Sequence, residues 1–75
     1  MPNAKPLKHY IQAREAQGQG QQDIAAHHLQ TALGSPGDNP VLRDNLDVLL
    51  DLDHPAGEMV LDILRVEMNR SRNDG

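Results

Sequence analysis

Four histidines and a row of aspartates are the side chains of this 75-residue sequence best suited to chemistry. Histidine titrates near neutral pH and is a common general base and metal ligand. His27 and His28 are adjacent. Neighbouring residues on a helix point about 100° apart, so this pair cannot chelate one metal ion as histidines at i and i+4 do. The positions three and four residues on are Gln30, Thr31 and Ala32, none of them a strong metal donor. His28 falls on an apolar stripe and is expected as a half-buried, neutral ring with one hydrogen bond. Asp23 stands four residues before His27, close enough on a helix for a local ion pair. His9 and His54 are isolated in sequence; His54, directly before Pro55, reads as a capping or turn residue. No spacing gathers His9, His28 and His54 into one site.

Asp44, Asp47 and Asp51 recur at helical spacing. Acid–base or metal chemistry would need them to converge in a cleft that separates their pKa values. With Arg43 beside them and one polar helix face to share, they read as a solvated charge row. Residues 38–45 lack the alternating oxygen ligands, central glycine and closing glutamate of a calcium loop. Gly18-Gln19-Gly20 is not preceded by a strand and no Gly-Lys-Ser/Thr follows, so it is not a phosphate loop. The two serines, Ser35 and Ser71, fall in a turn and in the C-terminal tail. There is no cysteine, which removes thiolate zinc sites and cysteine nucleophiles. The sequence therefore offers no catalytic residue, no metal ligand set and no cofactor motif, and the expectation is a protein that is not an enzyme.

The elements that must carry these side chains are delimited by proline and glycine. Pro6, Pro40 and Pro55 each open an apolar-periodic stretch, where a missing N–H costs nothing. Gly18, Gly20, Gly34 and Gly37 fall between such stretches. Leu7, Tyr10, Ile11 and Arg14 stand at i, i+3, i+4 and i+7, and predict a helix over about 6–17. Ile24, Ala25, His28, Leu29, Ala32 and Leu33 predict a second over about 21–33, stopped by Gly34 and Pro36. Residues 35–39 are a turn, with Asp38 or Asn39 as the next N-cap. Leu42, Leu46, Leu49 and Leu50 predict a third helix over about 40–52, with Val41, Val48 and Leu52 on a second stripe beside them. Asp53-His54-Pro55 breaks it. Met59, Val60, Ile63 and Leu64 predict a fourth over about 55–69, widened by Leu61 and Met68, with 70–75 a frayed tail. Period-two alternation is absent. The expected fold is all-α: one domain over 1–75, a compact bundle of about four short helices, the last two forming a central antiparallel hairpin.

Composition narrows the functions open to such a bundle. The net charge is −4, with no Trp, no Phe and one Tyr. An acidic chain is a poor coat for phosphate backbones, and one with almost no aromatic rings lacks platforms for stacked bases. Apolar runs do not exceed three residues, far short of the ~20 that a membrane span needs. Met1 to Leu7 has no apolar core of the kind a signal peptide carries. The expected location is cytoplasmic, away from membranes.

One local pattern points elsewhere. Gly20-Gln21-Gln22-Asp23-Ile24-Ala25-Ala26-His27-His28-Leu29 resembles the opening of a repressor-type helix-turn-helix. There a glutamine starts the first helix, an Ile-Ala pair packs inside and a leucine closes the turn. The resemblance implies a DNA-binding transcriptional regulator, the alternative function. It covers ten residues and then departs: Gln30-Thr31-Ala32-Leu33 carries the helix on, and the next helix is rich in Asp and Leu where a polar recognition helix is required. Lys5, Lys8, Arg14, Arg65, Arg70 and Arg72 lie towards the two ends, where meeting termini would gather them.

The leading expectation rests on apolar density. Residues 41–52 hold seven strong hydrophobes and residues 59–68 another seven, against six in the first two helices. A surface helix needs an apolar stripe only ~100° wide, and the last two helices exceed it. Val41, Val48, Leu52, Leu61, Val66 and Met68 are the surplus. The expectation is a non-catalytic protein–protein interaction or regulatory module whose partner is another protein or a second copy of the chain. Val48, Leu52, Leu61 and Met68 are its expected partner-binding residues.

Overall fold

A computed structural model describes residues 5–34 and 39–73; residues 1–4, residues 35–38 of the turn read at 35–39, and residues 74–75 lie outside the described residues. The fold is all-α, and among the described residues there is no strand. Among the described residues five helices follow in order: α1 (Lys5–Gly18), α2 (Gln22–Ala32), α3 (Pro40–Asp44), α4 (Leu46–Leu49) and α5 (Pro55–Asn73).

The end of α1 shows how local sequence sets the first reversal. Gln21 N donates to Ala16 O at 2.9 Å and Gly20 N donates to Gln17 O at 3.0 Å. These two bonds are the paired 6→1 and 5→2 closures of a Schellman stop. That stop requires a left-handed residue at C′, and Gly20 supplies it with φ +78°. Gly34, φ +67°, ends α2 in the same conformation.

The third expected helix, 40–52, is instead two short pieces ending at Leu49. Its start is as expected: Asn39 Oδ1 accepts from Leu42 N at 3.2 Å, with Pro40 in the first turn. The break falls on Asn45, whose Nδ2 donates to Val41 O at 2.7 Å. A side-chain amide that takes a carbonyl from the helical ladder offers the backbone an alternative to it. Leu42, Leu46 and Leu50 all remain buried across the break.

α5 begins where expected. His54 Nδ1 accepts from Ala56 N at 3.0 Å, so His54 is the side-chain cap of this helix. α5 runs to Asn73, beyond the expected end at 69. The supposed tail from position 70 is thus helical in its first four residues, and Arg70 Nη1 lies 3.5 Å from Glu67 Oε1 in an i, i+3 ion pair.

Packing is most extensive between α1 and α2; α3 lies on α2, α4 on α2 and α5, and α5 also on α1. The hairpin expected at the centre from apolar density is therefore joined by a smaller contact, α4 with α5. The reason is alanine. Ala13 and Ala16 of α1 and Ala25, Ala26 and Ala32 of α2 are all buried, with Tyr10 and Leu29. Small side chains let two helices approach closely, so a face with few large hydrophobes becomes the tightest seam. Leu42, Leu46, Leu50, Val60 and Leu64 complete the core from the C-terminal half.

Candidate functional site

Two features are candidates for function: the outer face of α5 and a histidine pair on α1 and α2. The face of α5 follows from how the helix is turned. Val60 and Leu64 point into the core, with Gly57 buried on the same side and Leu61 packed at its edge. A side chain at Gly57 would run into the backbone carbonyl of Asp51. That close approach fixes the rotation of the helix about its axis. Met59, Ile63 and Val66 are left outside, 52%, 37% and 56% exposed. They stand at i, i+4 and i+7, one continuous stripe.

The expected partner-binding residues fall around this stripe rather than on it. Leu52, in the turn before α5, is 40% exposed. Val48, Leu61 and Met68 are half-buried, and Leu61 packs against the core. Met59 and Ile63, which the sequence pattern groups on one face with Val60 and Leu64, are the ones turned outward. The signal that separates the two readings is Gly57, which shares a helix face with Val60 and Leu64 and marks a close backbone approach.

The histidines are arranged by the α1–α2 seam. His9 Nδ1 and His28 Nδ1 lie 3.1 Å apart, with ring centres 5.3 Å apart and ring planes within 28° of parallel. His27 meets His28 edge to face at 5.9 Å. His28 is half-buried, as expected, and burial, followed by the neighbouring His9 and His27, holds its pKa below the usual histidine value. His54 belongs to the α5 cap. Among the described residues no three His, Cys, Asp or Glu side chains are grouped to hold a metal ion.

The aspartates do not converge. Asp44, Asp47 and Asp51 are exposed. Asp47 Oδ1 accepts from Gln17 Nε2 at 2.7 Å, tying α4 to α1, and Asp51 Oδ1 accepts from Asp53 N at 3.0 Å. Arg43 pairs with Asp23 of α2 at 3.5 Å. Arg65 lies 3.4 Å from Asp62. α2 continues past Leu29 to Ala32, so the turn that a helix-turn-helix places after that leucine is not formed there.

Tyr10 is the remaining oddity. Its ring is buried, and its hydroxyl has no hydrogen-bond partner among the described residues. Burial raises its pKa; nearby Asp51 adds to the rise and Arg14 opposes it.

No protein-family model, curated protein or solved structure matches the chain.

Proposed function

We propose that the chain is a non-catalytic interaction module that pairs with a second copy of itself through α5. The observation that carries this reading is the exposed stripe of Met59, Ile63 and Val66. With Ala56 before it, the stripe follows the 3–4–3 spacing of a and d positions in a coiled-coil seam. Leu7 and Ile11 of α1 are also exposed side by side, but as a pair spanning one helical turn, a shorter patch than the α5 stripe.

Charge favours one orientation. Glu58 and Asp62 stand in the first half of α5, and in the second Arg65, Arg70 and Arg72 outnumber Glu67. An antiparallel pair sets acidic halves against basic halves, whereas a parallel pair sets like against like. Antiparallel packing about a two-fold axis also closes the assembly, since each copy presents the same surface. Four seam residues make a short interface, below the ~800 Å² per partner of tight complexes. Association should therefore be reversible and concentration-dependent.

Sedimentation equilibrium across low to high micromolar concentrations tests the reading. The wild-type mass should rise from monomer towards dimer. Val66→Asp should hold the chain at monomer mass with its helical circular dichroism intact, because the charge would be buried only in the pair. A wild type that stays monomeric throughout, or a V66D variant that associates as well as wild type, overturns self-pairing through α5.

A further inference from the structure

We propose that His9 and His28 form a proton-sharing latch between α1 and α2, held by a single proton on the facing nitrogens and released when both rings become charged. The 5.3 Å between ring centres is nearly the sum of the 3.1 Å nitrogen gap and two ring radii. The two Nδ1 atoms therefore point almost straight at each other, edge to edge. Metal ligation needs a different geometry, with two lone pairs converging on one ion from directions near the tetrahedral angle. Head-on nitrogens at hydrogen-bond distance suit N–H···N instead. One ring donates from Nδ1 and the other accepts.

The bond has room for one proton only. A first proton goes to the free Nε2 of the donating ring and leaves the N–H···N bond in place as a charge-assisted one. Protonating the accepting ring as well places two N–H groups and two positive charges head to head, and the contact cannot survive. The surroundings decide how strongly this is felt. From α2, His27 lies edge to face with His28, and its protonation would add a third positive charge. From α1, Lys5 lines the same groove as His9, and Lys8 is next to His9 in sequence. From α5, Glu67 lines that groove and is ion-paired with Arg70, one carboxylate against the gathering positive charge. Thr31 is the groove's polar, uncharged member. The latch sits on the most extensive helix pair of the fold, so its loss is felt by α1 and α2 together.

The direction in pH follows from linkage. His28 takes its proton less readily folded than unfolded. Its contribution is full above the unfolded value of about 6.5 and is lost as pH falls below that through the folded value. This device is independent of the α5 surface.

Proton NMR of the histidine rings in the full chain, from pH 8 to 4.5, reads it directly. The His28 midpoint should lie below that of the same ring in the urea-unfolded chain, and its curve should depart from a single-site titration. His9→Gln should move the His28 midpoint upward. In parallel, the melting temperature of wild type should fall between pH 7.5 and 5 by roughly 4–8 °C more than that of His28→Gln, the span that a small stability change makes in a domain of this size. His28 titrating in one step at its unfolded midpoint, unmoved by H9Q, overturns the latch. So do equal pH-dependent losses in wild type and H28Q. The wild-type titration decides the matter even if a variant fails to fold.

Discussion

Gly57→Ala is expected to destabilise the fold by about 3 kcal/mol or more, the upper end of what overpacking costs. In an ordinary exposed helix position the same change would stabilise by about 1 kcal/mol, because alanine is the better helix former. Here the sign reverses. The added methyl would overlap the carbonyl of Asp51, which is main chain and cannot swing away as a flexible side chain can. Either α5 lifts from the 51–54 turn or it rotates, and both movements drag Val60 and Leu64 out of the core. A 75-residue domain has only on the order of 4–11 kcal/mol of total stability to lose. Urea melts of G57A beside Gly18→Ala would check this, since a methyl at Gly18 meets nothing within 4 Å. Equal stability of the two variants would refute the steric argument.

Leu29→Ala should cost a similar amount, about 3–4 kcal/mol within the ~2–5 kcal/mol range for such truncations. Leu29 is fully buried, and it is the largest aliphatic side chain that α2 contributes to the core. Apart from Tyr10, the other buried apolar residues of the seam are alanines. They have no side-chain freedom with which to fill a void, and the helices are already close, so the cavity stays open. In a core lined by leucines and methionines the same change would be cushioned. A shift in the urea midpoint at constant slope would report this loss, and a change below about 1 kcal/mol would show that the seam relaxes.

How much of this was legible in the sequence depends on the range of the interaction responsible. The stops at Gly20 and Gly34, the Asn39–Pro40 start and the His54 cap are local, and residue type at the turn is enough to read them. The break at Asn45 is also local but hidden, because an asparagine inside an apolar-periodic run gives no sign that its amide will take the Val41 carbonyl. The rotation of α5 is a tertiary matter. Seven hydrophobes among ten positions leave the periodicity with no single best face, and a backbone contact with Asp51 selects it. The extension of α5 past 69 rests on polar i, i+3 pairing that an apolar pattern ignores. His9 and His28 are separated by 19 residues and meet only because the Gly18–Gln21 turn folds one helix back on the other. No spacing rule sees that. The same applies to Gln17 and Asp47, which are 30 residues apart. The acidic charge and the missing aromatics, by contrast, bear on function without needing any coordinates.

The alanine seam has a kinetic consequence. α1 and α2 are joined by a three-residue connection, so the largest block of packing links residues near one another along the chain. Closing so short a loop costs little entropy, and topologies dominated by such contacts cross their barriers quickly. The first two helices can therefore zip together before α5 arrives, leaving the last helix as the late-docking piece. The stripe of Met59, Ile63 and Val66 rides on that late piece and stays exposed after it has docked.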